Sequence, residues 1–175
     1  MRRFFLEELT EESTETSLKG DELRHIKVLR LRQGDEVLIF NGRGLEVRGR
    51  IESIDEAEAR VVIISRTQTS RESPLKIILL AGLPKAHKPD LVVQKVTELG
   101  VSSIIFYSAH RSVPEPDTAG IEKKLERWRR IALAASKQCG RSSVPDIVFE
   151  PGLTGALART AFSEVKLFFS LSDGA

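Results

Sequence analysis

With 175 residues, 41% hydrophobic and 30% charged, the chain is long enough for one sizeable domain or two small ones and too apolar to be disordered. A formal net charge of +2, a lone cysteine (Cys139) and apolar runs of only a few residues exclude a disulfide scaffold, a cysteine-based metal cluster and a helical membrane span. The start, MRRFFLEELTEEST, turns acidic at once and lacks a signal-peptide core, so the expected location is cytoplasmic. The charge is uneven: residues 1–72 carry 13 Lys+Arg against 15 Asp+Glu, and the remainder 14 against 10.

RRFFLEE (2–8) reads as an edge strand. GDELRHIKVLRL (20–31) has Asp21 as a candidate N-cap and Leu23, Ile26 and Leu29 at helical spacing. EVLIF and LEVRGRIESI flank NGRG (41–44), a hairpin signal, and ARVVIIS (59–65) follows as another strand. Short strands with one short helix predict a small β-barrel. RTQTSRESP (66–74), polar and closed by proline, reads as a linker.

Beyond it the pattern changes. LKIILLAGL predicts a buried strand, 89–99 a helix, SSIIFYSA a second strand and about 118–139 a long helix. PDIVFE is a third strand, GLTGALART a short helix and VKLFFSLS a fourth strand. Strands alternating with helices predict a parallel α/β sheet, with ligand sites beyond the strands' carboxyl ends. Those ends are Gly82–Lys88, Ala109–Arg111, Phe149–Pro151 and Ser170–Asp173. The 89–99 helix carries its charges the wrong way round for the helix dipole, with Lys88 at its start and Glu98 in its last turn. Each misplacement costs a few tenths to about 1 kcal/mol.

The long helix has two faces. Ile121, Leu125, Trp128, Ala132, Ala135 and Cys139 form one apolar stripe, which assigns Cys139 and Trp128 to the core. Lys123, Arg127, Arg130, Lys137 and Arg141 line the opposite side, interrupted only by Ala134. Acidic residues are nearly absent from that row, so i,i+4 pairing does not explain it. It reads either as a solvated face or as the footprint of a phosphate backbone.

Other chemistry is weakly signalled. GRGLEVRG (42–49) lies between two strands with no helix after it, so it fails as a dinucleotide loop. No P-loop is present. His25, His87 and His110 are far apart and lack acidic companions at metal spacing, so no metal site is expected.

HIKVLRLRQGDEVLIFNGRG (25–44), LPKAHKPDLVVQKVTELGVSSI (83–104), HRSV (110–113) and KKLERWRRIALAASKQCGRSSVP (123–145) occur here in one order with characteristic gaps. In them the chain resembles the ribosomal RNA small subunit methyltransferase E family of the SPOUT superfamily. The resemblance implies a PUA-like, RNA-binding β-barrel over residues 1–72. Over 73–175 it implies a SPOUT-type α/β-knot domain with a parallel sheet, lacking its C-terminal part. Family members carry a GPEGG-type loop and a late knotted segment that these 175 residues do not contain. On that ground the stretch by itself is expected to be inactive and to lack most of the S-adenosylmethionine pocket and the homodimer interface.

The activity implied is S-adenosylmethionine-dependent methylation of uridine N3 in small-subunit (16S) ribosomal RNA, free or in the assembled subunit. N3 lies on the pairing edge and carries a proton, so the base must be unpaired, and either a general base or a cation must favour the uridinate. Under the resemblance, Glu98 is a candidate base and Arg111 a candidate for holding phosphate or the uracil carbonyls. Lys85, Lys88, Arg127, Arg130, Lys137 and Arg141 are expected on RNA phosphates, with Arg24, His25 and Arg30 matching the family's H..VLR pattern. Ser170, Leu171 and Ser172 are expected at the rim of the cofactor site. Two other readings stand beside this one: a non-enzymatic RNA-binding protein using the barrel and the basic helix face, and a nucleotide-dependent α/β enzyme of another kind.

Overall fold

Two sheets organise the chain, each over its own apolar core. The computed structural model describes residues 1–66, 72–109 and 118–169. In the first unit, β1 (Arg2–Phe5) pairs parallel with β3 (Glu36–Phe40), and β3 runs antiparallel to β4 (Glu46–Ile54). The sheet continues through β5 (Glu58–Arg66) to β2 (Glu15–Lys19), in the order β1-β3-β4-β5-β2. Register shifts at Arg48/Gly49 and Ile51/Ser53 add the bends that curl such a sheet into a half-barrel. Alternation explains the core: Phe4, Leu18, Val37, Ile39, Val47, Ile51 and Val61 project to one face and are fully buried with Ile26.

Two details differ from the sequence expectation. ETSLK, with Leu18 its single large apolar residue, carries no strand signal of its own, yet it forms β2. Its partner β5 supplies the ladder that makes it a strand. The N-cap position of the helix α1 (Gly20–Val28) is Lys19, extended and without a side-chain cap bond, rather than Asp21, which lies inside the first turn and pairs with Arg24. In the hairpin loop Asn41 Oδ1 accepts the N–H groups of Arg43 at 2.8 Å and Leu45 at 3.2 Å.

The second unit is the expected alternation. Strands β6 (Ile78–Gly82), β7 (Ser103–Tyr107) and β8 (Asp146–Glu150) lie parallel in the order β6-β7-β8. Helices α2 (Lys88–Glu98) and α3 (Thr118–Cys139) cross between them, and the short α4 (Leu153–Ala158) follows β8. The core holds Val93, Ile104, Phe106, Trp128, Ala132 and Ile147, with the Phe106 and Trp128 ring centroids 4.7 Å apart. An aromatic pair of this kind contributes about 0.5–1.5 kcal/mol beyond area burial.

Two expectations are corrected here. Residues 165–169 of the anticipated fourth strand join no strand, and Val165, Leu167, Phe168 and Phe169 are all exposed. Their β-like composition finds no ladder among the described residues, and 170–172 fall outside them. Cys139 is exposed rather than core: the last turn of α3 buries Ser136 and Gly140 and turns the Cys139 side chain outward, its thiol 3.8 Å from the Ser136 carbonyl.

The two units meet at the ends of the strands where their amino termini lie. Arg141, only 7% exposed, donates from Nη1 to the carbonyls of Thr97 and Val101, both at 2.9 Å, and pairs with Glu72 through Nε and Nη2. The same Glu72 carboxylate accepts the N–H groups of Ser142 and Ser143 at 3.0 Å. From the barrel side, Arg3 pairs with Glu46, stacks over Phe40 at 4.9 Å and donates to the Arg141 carbonyl at 2.7 Å. Gly42 accepts the Val144 N–H at 2.9 Å, and Lys137 pairs with Glu22 of α1. Glu72, placed in the linker by composition, is thus a central part of this joint.

Candidate nucleic-acid interface

The cations expected on one helix face divide into two groups. Toward its C-terminal end, α3 commits its basic residues to the joint: Lys137 is partly buried on Glu22, and Arg141, just beyond the helix, is enclosed by Glu72 and two carbonyls. Neither presents a free charge to a phosphate, which removes both from the expected RNA-binding set. The fork of a guanidinium matches several acceptors at once, which is why an arginine occupies the buried position.

Toward its N-terminal end, α3 keeps its charges outward. Lys123, Arg127 and Arg130 are exposed. Arg127 Nη2 lies 2.5 Å from Asp90 Oδ2, and Asp90 sits in the first turn of α2, directly after the loop that leaves the carboxyl end of β6. This contact ties the middle of α3 to the rim where the parallel strands end. Lys85, His87 and Lys88 on that loop are exposed beside it, with His87 Nδ1 4.0 Å from Asp90. Arg130, 73% exposed, has a 3.9 Å contact with Glu126, too long to neutralise it. Lys85 and Lys88 thus stand exposed at the strand-end rim with Arg127 beside them on Asp90, and Lys123 and Arg130 are exposed on the same half of α3.

Glu98 has a local explanation. Lys95 Nζ lies 2.9 Å and Gln94 Nε2 3.2 Å from its carboxylate. The Lys95 hydrogen bond and charge hold the Glu98 carboxyl below the usual carboxylate range. A carboxylate so stabilised is a poor proton acceptor, and it stands at the end of α2 remote from the strand-end rim. Its apparent misplacement against the helix dipole is offset by Lys95 in the same last turn. Asp90 likewise supplies acid to the first turn, next to Lys88.

On the barrel, Arg24 is exposed and paired with Asp21, His25 packs at 5.3 Å from the Phe4 ring, and Arg30 is exposed at φ 56°. These three lie on or just after α1, beside the joint rather than beside the strand-end rim. Arg111, His110, Ser170, Leu171 and Ser172 lie outside the described residues.

The described strand ends do not by themselves build a cofactor pocket. A Cβ on Gly82 would meet Ala109 and Tyr107 at 3.5–3.7 Å, ordinary contact rather than a cradle. The Glu150 carboxylate is held by Arg159. Among the described residues, the buried polar atoms lacking a partner, Arg3 Nε, Glu22 Oε2 and Thr97 Oγ1, lie at the opposite end, around the joint.

Comparison with known proteins agrees with this layout. A family model described as an RNA methyltransferase domain matches residues 71–173, and one described as an RNA methyltransferase PUA domain matches residues 18–64. Ribosomal RNA small subunit methyltransferase E of Bacillus subtilis is 35% identical over 152 residues, covering 85% of this chain and 59% of that protein. The Mycobacterium tuberculosis protein of the same name is 26% identical over 145 residues, covering 82% and 55%. A crystal structure of ribosomal RNA small subunit methyltransferase E from Neisseria gonorrhoeae, bound to S-adenosyl methionine, superposes with a TM-score of 0.78 at 29% identity over 95% of this chain and 66% of that one. The chain therefore spans less than two thirds of the length of each of these relatives.

Proposed function

We propose a function from one premise: the chain belongs to the ribosomal RNA small subunit methyltransferase E family. The reading is a methyltransferase that uses S-adenosylmethionine to methylate N3 of a uridine in small-subunit ribosomal RNA, free or assembled, in the cytoplasm and as a homodimer. It takes residues 1–72 as the RNA-binding barrel and 73–175 as part of a SPOUT-type catalytic domain. The single structural observation that supports it is the exposed pair Lys85 and Lys88 beyond the carboxyl end of β6, beside which Arg127, paired with Asp90, stays 55% exposed.

In this reading Lys85, Lys88, Arg127 and Arg130 neutralise RNA phosphates at the rim, and Arg24, His25 and Arg30 add contacts from the barrel. Lys137 and Arg141 instead lock the two units together. S-adenosylmethionine supplies an electrophilic methyl group when bound. The described residues build no cradle for it, so the work assigned to them is RNA binding and orientation. Holding the target nucleotide in line accounts for a large share of the rate enhancement in such a transfer. With Glu98 stabilised as a carboxylate, Arg111 is the remaining candidate: a guanidinium on the uracil carbonyls would favour loss of the N3 proton.

The test is transfer of labelled methyl from S-adenosylmethionine to small ribosomal subunits lacking the mark, using protein that carries this sequence within its natural full-length chain. Label on N3 of one uridine is expected; label elsewhere, or none, overturns the assignment. RNA binding with no label under any condition would leave the non-enzymatic reading. Paired charge reversal, Arg127→Glu with Arg130→Glu, is expected to weaken RNA binding at least tenfold and flatten its salt dependence.

A further inference from the structure

Between β6 and the first turn of α2 the chain reads LPKAHKPDL (83–91), with Lys85, His87 and Lys88 exposed and Asp90 the one acid. An acid within a surface that binds a polyanion opposes that binding, since it repels phosphate and offsets the nearest cation. Asp90 therefore calls for a use that outweighs the repulsion.

Its place in the helix supplies only part of one. Asp90 is the third residue of α2, where a carboxylate favours the helix N-terminus and can bond back to the cap. Here the N-cap residue His87 has no side-chain cap bond, and its Nδ1 stands 4.0 Å from Asp90, beyond hydrogen-bond reach. The Asp90 carboxylate instead accepts from Nη2 of Arg127, 37 residues further along the chain. With Arg127 55% exposed, such a pair adds little to folding.

What the pair does fix is the arginine. An arginine side chain has much rotamer freedom, and a free one must give it up when a ligand binds. Anchoring Nη2 on Asp90 removes part of that freedom beforehand. Among the described residues, Nε and Nη1 of Arg127 take no hydrogen-bond acceptor, so most donors of the planar fork remain for a second anion. The anchor belongs to the first turn of α2, which places those donors beside the exposed Lys85 and Lys88 beyond the carboxyl end of β6.

Resting on the RNA reading above, we propose that Asp90 is a positioning residue for RNA: it holds the Arg127 guanidinium by one nitrogen so that the others meet a phosphate at the strand-end rim. Asp90 touches no RNA atom itself, and its effect passes through Arg127.

The experiment is a double-mutant cycle, read by fluorescence anisotropy of a short unstructured RNA on the full-length protein at several salt concentrations. Charge alone makes Asp90→Ala a tighter binder, because a negative charge is removed. Positioning gives the opposite sign, and about fivefold weaker binding is expected. Asp90→Glu, which keeps the carboxylate, should recover most of it. Arg127→Ala should weaken binding and lower the salt slope by about one. In that Arg127→Ala background, Asp90→Ala should change binding less than twofold or tighten it. The proposal is overturned if Asp90→Ala in the otherwise natural chain tightens binding or leaves it within twofold. It is also overturned if the weakening is the same in both backgrounds, which would assign Asp90 to the start of α2 alone. Wild-type protein that did not bind the RNA, or Arg127→Ala binding it like the wild type, would instead bring down the RNA reading of this rim.

Discussion

Ala86 sits in the loop between β6 and α2 with φ 57°, a left-handed conformation that its Cβ disfavours. Ala86→Gly removes the steric penalty and restores some freedom to the unfolded chain, so the two effects oppose. The first is larger, and a gain of about 0.5 kcal/mol is expected in urea unfolding. Gly49 in β4 shows the reverse case. A Cβ there would stand 2.4 Å from Val61 Cγ1 and 3.2 Å from the Val62 carbonyl oxygen. Gly49→Ala is therefore expected to destabilise by about 1–3 kcal/mol, through overpacking rather than through backbone strain.

Local hydrogen bonds at the level of turns and helices contribute to the response to acid. In the β4–β5 turn Asp55 Oδ1 accepts the N–H groups of Ala57 at 2.7 Å and Glu58 at 2.8 Å, and these bonds hold its carboxyl below the usual range. Glu58 is lowered by Arg60 and Lys19, and Glu98 by Lys95. A carboxyl with a depressed folded-state pKa adds stability that is present above its unfolded value and lost as pH falls through the folded value. All three shifts have that sign. The melting temperature should hold between pH 7 and 5 and fall once pH drops below the ordinary carboxylate value near 4. Asp55→Ala should lower it at pH 7 and shrink the acid-side fall; an unchanged acid limb would show that the turn contributes nothing.

Across the whole molecule, the joint around Arg141 fixes how the barrel sits relative to the α/β unit. Removing one partner of a buried, multiply bonded pair leaves the other uncompensated, at a cost of about 3 kcal/mol or more. Arg141→Ala strands Glu72 and the Thr97 and Val101 carbonyls, so a loss of that size is expected in urea denaturation. Arg141→Lys should recover little, because an ammonium cannot reproduce the fork that meets Glu72 and two carbonyls together. The salt slope of RNA binding should be unchanged in either variant at temperatures where they stay folded, in contrast to Arg127 and Arg130. A reduced slope for Arg141→Lys would return that residue to the RNA surface.

Periodicity by itself determined most of the architecture. Alternation placed the barrel strands, helical spacing bounded α3 at 118–139, and the change of pattern after the polar stretch at 66–74 separated two kinds of sheet. These are local properties, carried by neighbours within one strand or one helix. Contacts between distant segments decided the rest. Leu18 became part of a strand only because β5 lay beside it, and Cys139 is exposed while Ser136 and Gly140 beside it are buried. VKLFFSLS (165–172) reads as a strand, yet its described part, 165–169, joins no ladder among the described residues. Above all, one row of basic side chains on a helix wheel separated into two roles, since whether a cation meets solvent or a buried carboxylate depends on what the rest of the chain brings to it. Glu22 and Glu72, the acids that draw Lys137 and Arg141 into the joint, lie 115 and 69 residues from them in sequence, beyond the reach of any pattern within a single helix.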